Sequence, residues 1–454
     1  MNTLLGFGAV LAVVIWLIRE RKAAAIAATF LLFSLVTRTL ALVYVDLGDP
    51  IYAIELNEEV GGDSSMPLFA ASVLMFLLPL AWLFRPTVIG KLLPVEGFTI
   101  QARPDVNHVA FAGLAIFLFA LYGDMIVRGP IPLLDGIDRL EYTSVMAGPL
   151  HSVIMEMGFL FAGLLGVLMV IPRIAGREFD FRFLALFIGV MAYFALTGNR
   201  FSAFFAFTSF FMIPTAAVAT LSGCGRLQPP SGGRGVLVTF LCSRMALVMA
   251  GILMGFALMA LLLNSYVTVR GYDDPLEQIA QRTLVQPVQL WWTTWHDLQD
   301  RGSDVALLWD AAFGNPLDAS RNTSIQALMV KNLGYERATE LLDAGQQYAG
   351  GYPEILFELF GPFAALPIAL AFGLATAWLL RLTVVATSHG HLMTATLSIY
   401  VFYGFSLLYI GGMLNFLLVW TFWVKCGCLA IAMLIERNGT NPSAATRTGR
   451  LTVA

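Results

Sequence analysis

The sequence predicts an all-α polytopic membrane protein of about eleven transmembrane helices (10–12), carrying one large helical loop outside the bilayer. Three observations predict it. The 454 residues are 58% hydrophobic and only 13% charged, with a mean hydropathy of +0.76, whereas soluble domains are about one quarter charged. Apolar runs long enough to cross roughly 30 Å of hydrocarbon recur along the chain. One polar stretch, residues 264–351, interrupts the series. The net charge of −3 is too small to imply nucleic acid as a partner.

Taken in order, the runs fall near 3–18, 23–45, 67–84, 107–127, 150–172, 183–198, 200–221, 236–263, 353–381, 391–410 and 412–435. The first is followed, not preceded, by Arg19, Arg21 and Lys22 and has no cleavage site, so it reads as a retained span and not a signal peptide. This divides the chain into helices over 1–263, the polar loop over 264–351, further helices over 352–437 and a disordered tail over 438–454.

Orientation follows from lysine and arginine in the short connections. If the spans alternate, Arg19, Arg21, Lys22, Arg85, Lys91, Arg103, Arg173, Arg177, Arg182, Arg226, Arg234, Arg381 and Arg437 share one side, which is then the cytoplasm. The connection LGDPIYAIELNEEVGGDSS, Leu47 to Ser65, has no basic residue and belongs opposite. The large loop is therefore extracytoplasmic. It carries Trp291, Trp292, Trp295, Trp309, Tyr335 and Tyr348, and disordered segments are poor in aromatics, so a folded cap of short helices is expected there.

No metal or cofactor is expected. The four cysteines include Cys426 and Cys428, one residue apart with no histidine near them, which makes neither a redox pair nor a zinc half-site. No phosphate loop or nucleotide fingerprint occurs.

Charges at membrane depth cost roughly 2.5–3.5 kcal/mol on insertion scales and so default to functional candidates. Arg38 lies in the outer half of the second span (LVTRTLALVY), Arg200 at the tip joining two apolar runs (TGNRFSAFF), and Glu354 and Glu358 four apart on one helix face (GGYPEILFELFGPF). All fall near the outer surface, where with Arg128, Arg139, Arg270 and Arg282 they would form a basic cavity holding two carboxylates. A guanidinium fork suits phosphate or pyrophosphate, and a carboxylate beside it suits proton transfer from a sugar hydroxyl. Arginines that only neutralise the two glutamates would be the structural alternative. The run QPVQLWWTTWHDL could stack on sugar rings or lie at the headgroup layer. His296, the one histidine of the loop, is either a hydrogen-bonded structural residue or a base.

Three segments, TGNRFSAFFAF around Arg200, RGPIPLLDGIDRLEYTS from Arg128, and GGYPEILFELFGPF from Gly350, resemble the oligosaccharide repeat-unit polymerases, the Wzy-type family that builds O-antigen and exopolysaccharide in bacteria. The likeness in layout runs from Arg128 to Phe372, and Pro362 after Phe360-Gly361 departs from the family's pattern. The resemblance implies a GT-C-like glycosyltransferase of the bacterial inner membrane, acting on the periplasmic face on a lipid-linked oligosaccharide donor and acceptor. A flippase and a chain-length regulator would be its partners. It implies that Arg200, Arg270 and Arg282 hold the polyprenyl pyrophosphate, that Arg139 contributes to donor or acceptor binding, and that Glu358 or Glu354 orients or deprotonates the acceptor hydroxyl. Arg38, Arg128, His296 and Tyr352 complete the candidate binding set. A lipid-linked glycan flippase is the alternative from another class, but transporters tend to carry internal repeats and midplane sites, and no repeat is visible. A related O-antigen ligase would be expected to place a histidine late in the large loop, and none follows His296 there.

Overall fold

The computed structural model describes residues 2–94, 104–135, 137, 141–198, 201–227, 279–300, 305–317, 323–343 and 350–439. Helices α1 (Asn2–Glu20), α2 (Lys22–Ala27) and α3 (Thr29–Leu47) are followed by a two-stranded hairpin, β1 (Ile51–Ala53) and β2 (Glu58–Val60). Then come α4 (Met66–Leu83), α5 (Pro86–Ile89), α6 (Pro104–Arg128), α7 (Pro132–Asp135), α8 (Pro149–Ile174), α9 (Phe181–Leu196), α10 (Phe201–Met212) and α11 (Thr215–Gly223). The polar loop contributes α12 (Gln286–Asp300), α13 (Val305–Phe313), α14 (Thr323–Leu333) and α15 (Tyr335–Asp343). The chain ends in α16 (Glu354–Ser388), α17 (Leu392–Gly411) and α18 (Trp420–Gly439).

Among the described residues, seven helices are long and apolar enough to cross a membrane, or eight if α10 and α11, bent by 42°, form one span. The protein is a multi-pass, all-α membrane protein. Helices α9, with 16 residues, and α18 stand where spans are expected at 183–198 and 412–435 but are not among the seven, and the run at 236–263 lies outside the described residues. Lipid tails are as apolar as leucine, so close approach between helices, not exclusion of water, holds such a bundle together. At Gly373 of α16 a Cβ would come within 2.5 Å of the Met75 carbonyl oxygen of α4, and α16 packs along α4 and α17.

Successive helices put the described basic connections at one end of the bundle. There Arg226 donates to the carbonyls of Pro94 and Gly90, and Arg182 pairs with Asp180 at 2.6 Å. The hairpin and the loop helices α12 to α15 occupy the other end.

Two local features differ from simple spans. The connection after α3 folds as an antiparallel hairpin in register Ile51↔Val60, Tyr52↔Glu59 and Ala53↔Glu58, with Asn57 in the left-handed region at φ 58° to close its turn. Asp46 anchors the hairpin's exit by accepting the backbone N–H groups of Ser65 and Met66, each at 3.0 Å, at the start of α4. In α16 the backbone breaks at Gly361 (φ 70°, ψ 173°). Pro362 lacks an N–H and disfavours helical geometry in the residue before it, and glycine alone takes the resulting positive φ cheaply. The turn Glu354–Phe360 is thereby set off from the long span behind it and carries both glutamates.

The loop re-enters the bundle through a backbone crossing. At Gly351 (φ +122°) a Cβ would meet the Gly411 carbonyl oxygen at 2.7 Å, and at Gly412 one would meet that of Gly351 at 2.3 Å. Gly351→Ala is expected to lower the thermal midpoint of the detergent-purified protein by many degrees. Gly8→Ala, where a Cβ meets nothing within 4 Å, should leave it within a degree or two. Equal midpoints would show that the crossing relaxes freely.

Candidate functional site

Arg38 is the first residue to place. It sits on α3 inside the bundle, its side chain 4% exposed, and pairs with Glu354, which is 0% exposed. Its Nε donates to the Pro287 carbonyl at 2.7 Å, Nη1 to the Tyr352 carbonyl and Nη2 to the Glu354 carboxylate. The guanidinium lies 5.3 Å from the Phe69 ring centroid. Tyr352, fully buried, donates its hydroxyl to the Ser72 carbonyl at 3.1 Å and packs on Tyr409 at 4.6 Å between centroids. Arg38 and Tyr352, both expected to bind substrate, are thus committed to the protein itself.

One helical turn along, Glu358 accepts from Lys331 Nζ at 2.6 Å, and the same ammonium donates to Asp297 at 2.5 Å. Side-chain exposures are 1% for Glu358, 7% for Lys331 and 34% for Asp297. Lys331 and Asp297 open onto a cleft of about 410 Å³, lined also by Glu58, Glu59, Trp292, Thr293, His296 and Asn332. Glu354 and Glu358, expected to meet the acceptor, are 0% and 4% exposed as whole residues in this geometry. Both carboxylates are shut away, and the one that this cluster presents to solvent is Asp297.

The cleft's outer wall is the hairpin, clamped to α12 through Glu55. Gln286 Nε2 donates to one Glu55 oxygen at 2.7 Å and Gln289 Nε2 to the other at 2.6 Å, while Gln281 Nε2 reaches the Tyr52 carbonyl at 2.8 Å. Burial raises the Glu55 pKa above its ordinary 4.5, partly countered by the Gln289 hydrogen bond and the charge of Arg282. Arg282, expected to hold pyrophosphate, lies close enough to Glu55, in the turn of the hairpin, for its charge to act there.

The expected basic cavity is not what the described residues build. Three carboxylates and one ammonium line the cleft, His296 aside. Arg128 is elsewhere, paired with Asp124 at 2.8 Å on its own helix, against Gly148 at the start of α8. Arg139, Arg200 and Arg270 lie outside the described residues. Of the aromatic run, Trp291 and Trp292 are buried within the protein, Trp292 beside the cleft. Trp291 packs edge-on between Phe69 and Phe357, with centroids at 5.6 and 5.2 Å, and His296 packs on Trp292 at 4.9 Å on the exposed flank. Lys331, Asp297, Asn332 and the hairpin glutamates were missed as site residues. The hairpin's trace in the sequence is only the turn former Asn57 between IYA and EEV.

Two outcomes are expected. Removing one partner of a buried ion pair costs about 3–5 kcal/mol, so Arg38→Met alone should unfold far more readily than the double variant Arg38→Met/Glu354→Gln. Additive losses in thermal midpoint would refute the coupling. For Glu55 the folded state binds the proton more tightly than the unfolded one, so its contribution is greatest at or below pH 4.5 and declines as pH rises through the raised folded value. The protection of the amides in residues 51–60, taken relative to intrinsic exchange at each pH, should fall across that window in the wild type and stay level in Glu55→Gln.

Residues 318–424 match the model of a family of unknown function, DUF6418, which spans α14, α15, α16, α17 and the start of α18 and includes Lys331, Glu354 and Glu358. No curated protein and no solved structure matches the chain.

Proposed function

We propose that the protein is a GT-C-like membrane glycosyltransferase that polymerises polyprenyl-pyrophosphate-linked oligosaccharide repeat units into a surface polysaccharide, acting on the periplasmic face of a bacterial inner membrane. The observation that supports this reading best is the cleft, in which a partly exposed carboxylate, Asp297, is held by a buried ammonium at the end of the bundle opposite the basic connections. Such an end faces away from the cytoplasm by the distribution of lysine and arginine.

In the proposed reaction an acceptor hydroxyl in the cleft attacks the anomeric carbon of the donor glycan. The carbon–oxygen bond to the polyprenyl pyrophosphate breaks, the new glycosidic bond forms, and the hydroxyl proton passes to Asp297. Lys331 fixes the carboxylate in place. Glu358 acts one step back as a positioning residue, since the second hydrogen bond of Lys331 ends on it. Of the residues that the resemblance assigns to the pyrophosphate, Arg200 and Arg270 are the remaining candidates beside Arg282, and Arg139 is the candidate for donor or acceptor binding.

The test is polymer formation in liposomes supplied with a lipid-linked repeat unit. Asp297→Asn should abolish the ladder of glycan lengths, a loss of at least about a hundredfold for a general base, with the protein still folded. Glu358→Gln should lower the rate while leaving the acceptor concentration dependence largely intact, and His296→Ala should have the smallest effect. A wild-type protein that moves the lipid between leaflets and forms no ladder would replace this reading with a transporter.

A further inference from the structure

The cleft's lining says which end of a glycan it takes. Glu58 and Glu59 stand exposed on β2, Asp297 faces them from α12, and the one ammonium present, Lys331, already donates to two carboxylates. Second and independent of that charge, Asn332 lines the same cleft with its amide oxygen and nitrogen both shielded from solvent and without a protein partner. A buried amide left unpaired costs about 1–3 kcal/mol, so it points to an occupant that offers both a donor and an acceptor. The buried Trp292 ring adds an apolar wall. Amide, carboxylates and aromatic ring together match a sugar ring presenting hydroxyls. Their net charge rejects phosphate and uronate.

We infer that the cleft is the acceptor subsite for a non-acidic glycan end, with preference for one bearing an amine, and that Glu58 and Glu59 of the hairpin set this preference. The inference rests on the reading of the cleft as a glycan site and deepens it: acceptor and pyrophosphate occupy separate places. The hairpin carries the selectivity, and the clamp at Glu55 holds it over the cleft.

The experiment is saturation-transfer NMR on the full-length protein in nanodiscs, with no lipid-linked donor, using methyl glycosides of glucosamine, glucose and glucuronic acid and inorganic pyrophosphate as probes below neutral pH. One extra opposite charge in a partly screened cleft is worth about tenfold in affinity. The expected order is therefore glucosaminide, then glucoside about tenfold weaker, with glucuronide and pyrophosphate weakest. Glu58→Gln/Glu59→Gln should compress that order to within about threefold while Asn332→Ala weakens all three sugars alike; the hairpin positions are exposed, so the fold is not at stake. Glucuronide or pyrophosphate binding as tightly as glucosaminide would overturn the inference, as would an order unchanged in the double variant. Polymer formation in liposomes without glycoside binding would overturn it while leaving the polymerase standing. The expected order with no polymer from any repeat unit would uphold it and remove the polymerase.

Discussion

Arg38 carries a charge that the bilayer core tolerates only if protein groups surround it, and the way it is surrounded organises the functional end of the molecule. Its three nitrogens reach Pro287, Tyr352 and Glu354, which belong to the start of α12, the strand of chain re-entering the bundle and the first turn of α16. None of these segments is fixed by apolar burial alone, because the loop is polar and its surroundings include lipid. A guanidinium with fixed donor geometry imposes both distance and direction on each. The cost of desolvating the cation is large, so satisfying it and folding the loop onto the bundle become one event.

The cleft follows from that constraint. Once Pro287 and Glu354 are placed, α12 and the first turn of α16 are fixed relative to each other, and Asp297 and Glu358 lie within reach of one ammonium from α14. The break at Gly361 lets this turn leave the line of the long span, so its carboxylates face the loop helices. The hairpin closes the remaining side through Glu55, which holds both of its glutamine partners in fixed orientation.

What was legible in the sequence was decided by contrast. Arg38, Glu354 and Glu358 stood out because charge in an apolar run is expensive and therefore rare, and the structure brings Arg38 and Glu354 together. The same reasoning misjudged their accessibility, since depth along a span says nothing about which face of the helix meets water. Lys331, Asp297, Glu58 and Glu59 were invisible for the opposite reason: in a polar segment one more charge carries no information. The apolar spans were legible as length and composition, and the break at Gly361 was signalled by the proline after it. The hairpin was obscured because its two three-residue strands are shorter than any window that detects alternation reliably.

The division of charge has a mechanistic consequence under the proposed chemistry. A departing pyrophosphate gains negative charge as its bond to the sugar breaks, and a wall of carboxylates close to it would raise the barrier, not lower it. A cleft lined by Glu58, Glu59 and Asp297 therefore suits the nucleophile's side of the reaction, where a proton is lost and charge falls on an acceptor oxygen bound for a carbon. The leaving group's side calls for cations that are not already spent on internal pairs, which excludes Arg38 and Lys331. Under that chemistry, keeping the two fields apart would let one site bind an anionic donor and a neutral or cationic acceptor without either repelling its own ligand, and alignment of nucleophile with leaving group would then depend on the separation between them.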